Sequence, residues 1–583
     1  MNPRASSDSV NPLPLAVGDL LRRMAGAGGD GVAELATRAC EEAVRAIGRG
    51  DSCLPLARLA GRTSGELRCE ADALSGDGDG TGGEAAGGDG FRFPETGAIE
   101  DALRACPAIV ACGDGERIAP FVLEGGRLYT RRNHRCERRI RERLDAMAGR
   151  AAESAGLLVE DGLADGLSAE QRGAVETILA RRGGFAILTG GPGTGKTHVL
   201  ARAVRIAMGA RPDLRVRLAA PTGKAAARMA ESFDASFAEG EGGDIPMPAA
   251  STLHRLIGQN PSTGAFRHHA GNPLPVDWLV IDEASMVDLL LFGHVLDALP
   301  EGAGLLLIGD PHQLASVERG RILRDLCDAA GDGGGARYPV ARLSASFRFP
   351  ADGTIARFAG AVNEGDAETA FDVLRNAPEG GELAWTPHPA GAAGGPEAWP
   401  GFREAVLEGF RELAGAATPA EVLRRVNGYR VLCAVRRGPF GVERANAAIR
   451  GWLPSGAPMP VMVVHNDPSL GVNNGDLGVV MASDRDTVWL EPETRGGEPR
   501  RVPRLLLPDL EPAWATTVHK SQGSEYDDVA IVLPGDPSCP LLTREILYTA
   551  VTRTRHGVRL WAGADAVGAC IRRPVVRASG LGG

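Results

Sequence analysis

Between Gly184 and Asp310 short apolar runs alternate with helix-like stretches: FAIL, then HVLARAVRIAM, VRLAAP, WLVIDEA and GLLLIGD. Val199, Leu200, Ala203, Val204 and Ala207 fall on one face of the first of these helices. Strand, glycine loop, helix, strand is the βαβ pattern of a parallel sheet covered by helices. A second set of buried-strand candidates, RVLCAV (Arg430 to Val435) and VAIVLP (Val529 to Pro534), predicts another sheet of this kind. Between them MPVMVVHND, GDLGVVM and DTVWLEP are short strand-like runs separated by turn residues, which predicts a small antiparallel β module inserted into the second sheet domain. Three stretches lack periodic apolar residues and read as linkers or surface insertions: Ser75 to Gly90, Ala238 to Ala249 and Pro387 to Pro400.

A length of 583 residues adds the expectation of about four ordinary domains. The formal net charge of −10 means that no global positive field draws in nucleic acid, so such binding needs a local basic or polar groove. Ten scattered cysteines, with no C-x-x-C pair and no paired Cys/His spacing, read as reduced thiols rather than as a zinc site. With no apolar leader and no run of membrane-spanning length, the expectation is a cytoplasmic protein with no membrane partner.

The stretch LTGGPGTGKT (Leu188 to Thr197) changes the picture from fold to chemistry. Gly190, Gly191, Pro192, Gly193, Thr194 and Gly195 form a loop whose N–H groups can face phosphate oxygens; Lys196 can reach the β/γ-phosphates and the Thr197 hydroxyl can sit on Mg2+. Downstream, the apolar strand of LVIDEAS ends in Asp282, placed for the Mg2+ shell, and Glu283, placed to polarise the attacking water. Gln313 in IGDPHQL follows the next strand, where an amide can contact a γ-phosphate or its water. In LSAEQ, Ser168 predicts a helix cap, and Gln171 can hydrogen-bond both edges of an adenine amide pattern. Phosphoryl transfer also calls for cations from outside the loop, and Arg348 in SASFRFP and Arg553 in REILYTAVTRTRHG are candidates. Taken singly, Gln171, Gln313 and both arginines are equally ordinary surface or helix residues.

The order of motifs carries more than any one of them. LSAEQ, GGPGTGKT, LAAPTGKAAARM, STLHRLIG, LVIDEASMVDL, IGDPHQLASV, LSASFRF, TTVHKSQGSEYD and LLTREILYTAVTRTR follow one another as in superfamily 1 helicases of subgroup B, which the chain resembles. GDSCLPL (Gly50 to Leu56), PFVLEGGRLYTRRNHRCE (Pro120 to Glu137), HHAGNPLPVDWLVIDEASMVDL, VLCAVRRGPFGVERAN and HNDPSLGVNNGDLGVV are similar to a narrower family, the RecD or α subunits of exodeoxyribonuclease V, the RecBCD complex. The glycine-rich segments depart from that family, as does the absence of an aromatic residue near Asn133 or His134.

The resemblance implies an α/β fold of tandem RecA-like P-loop lobes with parallel sheets, a mainly helical N-terminal domain and a small inserted SH3-like β module. It places the N-terminal, partner-docking domain at 1–150 and the first lobe at 151–345, with a small hairpin insertion near 258–275. The second lobe is then 346–450 with 511–583, and the module 451–510. The implied activity is ATP-dependent 5′-to-3′ DNA helicase, acting on single-stranded and duplex-end DNA beside RecB-like and RecC-like subunits in double-strand break repair and DNA end degradation, with nuclease activity on a partner. By the same resemblance Gln171 reads adenine, Lys196 and Thr197 hold phosphates and Mg2+, Asp282 completes the metal site and Glu283 is the general base. Gln313, Arg348 and Arg553 then sense the γ-phosphate across the cleft. The DNA-facing groups are Pro221, Thr222 and Lys224, Thr252 and His254, and Thr517, His519 and Lys520.

Two other readings stand beside this one: a free-standing helicase of the same subgroup, and a scaffolding subunit that binds ATP without productive motion. The short N-terminal region and GDSCLPL favour the subunit, and a full catalytic set argues against a scaffold. The basic run RRNHRCERRIRERL spreads Arg131, Arg132, Arg135, Arg138, Arg139 and Arg141 around a helix, which predicts an interface or solvated helix rather than a DNA stripe.

Overall fold

The run FAIL becomes the strand Phe185–Gly190, buried along its first five residues because parallel neighbours flank both edges. The computed structural model describes residues 13–25, 31–67, 90–113, 118–150, 166–238, 247–260, 262–316, 319–330, 337–350, 352–388, 394–467, 469–492, 497–507 and 509–582. The first sheet has six parallel strands in the order Val340–Leu343, Phe185–Gly190, Gly304–Gly309, Trp278–Ile281, Val216–Ala220, Ala250–Thr252. The helix Lys196–Ala210 buries its expected face and also Ala201, Ile206 and Met208, because the helices Ala169–Ala180 and Gly223–Ala238 pack on either side. Most of the linker from Ser75 to Gly90, and parts of those at Ala238 to Ala249 and Pro387 to Pro400, lie outside the described residues.

The second sheet has five parallel strands in the order Leu383–Thr386, Thr554–Trp561, Tyr526–Val532, Tyr429–Cys433, Ala515–Thr517. Only the two apolar runs among these stand out in the sequence. Thr554–Trp561 opens on polar TRHG, and Ala515–Thr517 is three residues long. The inserted module is a five-stranded antiparallel sheet, ordered Arg500–Pro503, Asp484–Leu490, Leu477–Met481, Met459–Val463, Leu510–Pro512. Its closing strand runs past the boundary expected at 510, because Leu510–Pro512 pairs with the module and not with the lobe.

The N-terminal region is mainly helical, with Leu13–Ala25, Gly31–Gly48, Thr96–Arg104 and Arg131–Ala148, to which the structure adds a small four-stranded sheet. The basic run forms the last of these helices, and its buried face of Cys136, Ile140, Leu144 and Met147 joins the core of the first lobe. Arg139 pairs with Asp297 at 2.5 Å, and Arg143 donates to the carbonyls of Leu299 and Pro300 at 2.9 and 2.8 Å. The helix is therefore an interface to the lobe of its own chain. The buried Asn133 amide donates to the Ser52 carbonyl at 2.9 Å, while His134 meets Glu124 at 2.9 Å and packs edge-on against the Tyr129 ring, so an aromatic residue does adjoin it in the fold.

Candidate nucleotide and DNA site

Parallel strands end together, so the C-terminal edge of the first sheet sets out its functional segments in a row. From one side to the other, the edge carries the segment leading to Arg348, the phosphate loop, the turn with Asp310 and Gln313, the pair Asp282 and Glu283, then Thr222, then Thr252. The residues expected to serve the nucleotide and those of the first lobe expected to face DNA thus lie on two halves of one edge, at the position where open α/β sheets bind ligands.

The phosphate loop turns on Gly193 and Gly195, with φ of 76° and 81°. Gly195 starts the helix Lys196–Ala210, whose first N–H groups face the loop. The Lys196 ammonium donates to the carbonyls of Gly190 at 2.7 Å and Gly191 at 2.9 Å, so the cation is parked on the loop it serves. Ser168 and Gln171 form the predicted cap in its reciprocal form: the Gln171 N–H donates to Ser168 Oγ and the Ser168 N–H to Gln171 Oε1, both at 3.2 Å. The remaining amide of Gln171 points to the Thr194 carbonyl at 3.4 Å, which places this side chain against the loop and buries it. Beside it stands Phe347, a residue the sequence reading passed over. Phe347 is 66 % exposed, its N–H donates to the Gly193 carbonyl at 2.8 Å, and its ring lies against Gly195.

Asp282 and Glu283 follow the strand Trp278–Ile281. The Glu283 N–H donates to Asp282 Oδ1 at 2.8 Å, and Glu283 takes a φ of 50°, the one non-glycine positive φ among the described residues. Such backbone costs about 1–3 kcal/mol and persists where surrounding structure imposes it, as at active sites. Burial, and next the adjoining Glu283 carboxylate, push the Asp282 carboxyl well above its ordinary value. A hydroxyl at Thr197 and a carboxylate at Asp282 are hard oxygen donors of the kind Mg2+ takes.

The lobes meet through buried polar contacts. Arg553 donates to Gln313 Oε1 at 2.8 Å, to the Ser524 carbonyl at 3.3 Å and to the Thr549 carbonyl at 3.2 Å. Asp310 Oδ2 accepts from Tyr548 at 3.0 Å and from Gln313 at 3.2 Å, and the Leu314 N–H donates to Thr549 Oγ1 at 2.9 Å. Arg348 follows the last strand of the first sheet, and a side chain on Gly193 would collide with it. Its guanidinium is paired with Glu525, which also pairs with Arg228 and lies 3.6 Å from Arg555. Burial alone would raise the Glu525 carboxyl; the charges of Arg228 and Arg348 outweigh it and hold the group at about 2. Glu525 sits inside TTVHKSQGSEYD, where its sign amid arginines from three segments was not readable from its neighbours in the chain.

The DNA-facing candidates cluster across both lobes. Thr222, Thr252 and Thr517 each stand just past or at the end of a strand and accept an N–H, from Ala225, Arg255 and Lys520 respectively, all at 3.2 Å. Thr222 and Thr252 cap helices and Thr517 closes a turn ahead of the short helix His519–Ser521; each accepting hydroxyl still has its own proton to donate to a phosphate oxygen. Gly523 of the second lobe approaches Thr222 Oγ1 of the first, and Asn473 of the inserted module approaches Gly223 beside Pro221 and Lys224. Lys520 pairs with Glu511 at 2.9 Å, and Arg436 pairs with the same carboxylate at 2.6 Å. Burial lowers the titration of His254, and burial and then Arg577 push His519 down to about 4, so both imidazoles are neutral donors or acceptors near neutrality.

Models of three families match the chain: the RecBCD enzyme subunit RecD N-terminal domain at residues 12–129, an AAA domain at 166–379 and the UvrD-like helicase C-terminal domain at 512–561. The RecBCD enzyme subunit RecD of Mycolicibacterium smegmatis is 39 % identical over 71 % of this chain and 74 % of its own length. That of Haemophilus influenzae is 30 % identical over 71 % of both. The ATP-dependent RecD2 DNA helicase of Deinococcus radiodurans is 32 % identical over 67 % of this chain but 48 % of its own length. Identity of 30–39 % to RecD subunits over more than two thirds of both lengths, together with the match to the RecD N-terminal domain, places the chain in the RecD family of RecBCD enzyme subunits.

Proposed function

We propose that the chain is the 5′-to-3′ motor of a RecBCD-type assembly, hydrolysing ATP between its two lobes and stepping along single-stranded DNA drawn from duplex ends. Family membership makes the activity that of an ATP-dependent DNA helicase. The observation that carries the mechanical reading is the Arg553–Gln313 contact, 2.8 Å across the cleft, which puts a second-lobe cation on the amide nearest the expected γ-phosphate.

Each cation meant for phosphate has a protein acceptor here: Lys196 the loop carbonyls, Arg348 the Glu525 carboxylate, Arg553 the Gln313 amide oxygen. ATP replaces these acceptors. Lys196 takes the β/γ-phosphates, Gln171 reads the adenine edge and Phe347 offers a stacking face beside it. Thr197 and Asp282 would hold Mg2+, which when bound neutralises charge on the phosphate oxygens. Glu283 takes a proton as the water oxygen attacks the γ-phosphorus and the bond to the bridging oxygen breaks. Arg348 and Arg553 stabilise the charge spread over the γ-phosphate, and both are in place only when the cleft is closed.

The DNA track runs over Thr222, Thr252, Thr517, His254, His519, Lys224 and Lys520, a backbone-reading set suited to a chain of net negative charge. Docking to RecB-like and RecC-like subunits falls to the N-terminal domain, whose first helix exposes Leu13, Leu20 and Met24 along one side. Among the described residues no helix is long and apolar enough to cross a membrane. Similarity to RecBCD enzyme subunits is the ground on which we place the protein in the cytoplasm. ATP turnover measured with and without single-stranded DNA tests the reading: stimulation by DNA is expected, and turnover indifferent to DNA would sink it.

A further inference from the structure

The motif GDSCLPL has no place in the chemistry above, and neither does the segment after the last helix, Ala564–Arg572. The structure brings the two together. The Val575 N–H donates to Glu545 in the second lobe at 2.9 Å, and two residues on the Arg577 guanidinium donates to first-lobe carbonyls, Ser316 at 2.6 Å and Gly320 at 3.1 Å. Ala578 then enters the N-terminal domain. Its carbonyl accepts from the N–H and hydroxyl of Ser52, both at 3.0 Å, and its N–H donates to Asp51 at 2.6 Å. The Gly580 N–H donates to the buried Glu137 at 3.0 Å, and Leu581, 2 % exposed, ends in the core of the first lobe. Within seven residues the chain has touched the second lobe, the first lobe and the N-terminal domain.

Gly50 is the meeting point. Its carbonyl accepts the Gly320 N–H at 2.9 Å, its φ is 93°, and a Cβ there would lie 2.8 Å from the Arg577 guanidinium carbon. Only glycine satisfies both the backbone and the approach. Ser316 is three residues beyond Gln313, and its N–H donates to the Ser285 carbonyl at 3.1 Å, next to the turn that bears Glu283. Arg577 also acts on His519 of the DNA-facing set through its charge.

We propose that residues 575–581 form a strap, with Arg577 as a positioning residue for ATP turnover. It holds the Ser316 and Gly320 carbonyls, and through them the loop bearing Gln313, in register with the GDSCLPL loop. The N-terminal domain is thereby fastened to the γ-phosphate side of the cleft, so an event on that domain is felt where hydrolysis is timed. This rests on the motor reading given above.

The test uses the full chain assembled with its partner subunits, unaltered and as Arg577→Ala, Arg577→Lys and Leu581→Ala. Amide exchange is read at Gly320 and Ser52, and kcat and KM for ATP at saturating single-stranded DNA. Arg577→Ala is expected to speed exchange at both amides together and to lower kcat about three- to thirtyfold, the range of losses along a coupling path. KM should stay within about twofold, since the nucleotide contacts are untouched. Arg577→Lys should recover part of the kcat. Leu581→Ala loosens the strap without touching the guanidinium and serves if Arg577→Ala does not fold; it should raise exchange at both amides and lower kcat less. Faster exchange with an unchanged kcat in either variant would overturn the proposal, leaving a merely structural tail. Absence of DNA-stimulated turnover in the unaltered assembly would count against the motor reading, while the exchange measurement would still read the strap.

Discussion

Each lobe is built on its own parallel sheet, and the two offer opposite ends of their strands to the proposed nucleotide cleft. The first lobe presents the C-terminal ends of its strands, where the glycine loop and the start of the helix Lys196–Ala210 supply backbone N–H groups. The second presents N-terminal ends: Glu525 immediately precedes the strand Tyr526–Val532, and Arg553 immediately precedes Thr554–Trp561. In the proposed reading backbone donors grip a bound triphosphate, whereas the second lobe's long cationic side chains reach it only when that lobe is near. The difference separates binding from timing, which is what a motor requires and a simple nucleotide-binding domain does not.

The sharpest way to break this division of labour is to remove the timing groups. Arg553→Ala and Arg348→Ala should each slow DNA-stimulated ATP turnover ~10³-fold or more, as for arginine-finger losses, with nucleotide binding largely kept. Near-normal turnover in both would collapse the contrast between the lobes. Glu525→Gln probes the neutral side of the same contact. The Glu525 carboxyl is held at about 2 against an ordinary 4.5, so its stabilising contribution is fully present above about pH 4.5 and is lost as pH falls toward 2. The variant should therefore melt lower at neutral pH and show a flatter loss of melting temperature below pH 4.5; a pH profile parallel to that of the unaltered chain would remove Glu525 as the hub of the arginine cluster.

Smaller effects sharpen the DNA half of the edge. Lys520→Ala should reduce the salt slope of single-stranded DNA binding by about 1, uniformly across sequences. An unchanged slope would take Lys520 off the track. Thr222→Val and Thr252→Val should each cost about 1 kcal/mol as lost caps, with a modest fall in DNA affinity. Stability lost without any change in DNA binding would mean that these hydroxyls cap helices and do nothing more.

How much was legible in the sequence follows the same contrast. The grip side was readable because its chemistry is local: loop glycines, Lys196, Thr197 and the Asp282–Glu283 pair lie within short motifs, each after a strong apolar strand. The face of the helix Lys196–Ala210 was readable for the same reason, since periodicity records burial directly. On the timing side Arg348 and Arg553 were indistinguishable from surface arginines until motif order singled them out. Glu525 and Arg228 were missed because a pair between residues 297 positions apart leaves no local pattern. Strands Thr554–Trp561 and Ala515–Thr517 escaped notice because one opens on polar residues and the other is too short to show a period. GDSCLPL was visible as a motif, but its partner, the segment around Arg577, reads as an ordinary polar tail until the fold brings them together.

The central claim is that ATP hydrolysis in the two-lobed cleft is converted into directed movement along DNA. Its most direct test is displacement of streptavidin from single-stranded oligonucleotides biotinylated at one end, with ATP, using the chain alone and with its partner subunits, the partners' own ATP sites inactivated. The account predicts release from the 3′ end, as a 5′-to-3′ motor would produce, and none from either end in Lys196→Ala. Release from the 5′ end, or ATP hydrolysis with no displacement from either end, would contradict it.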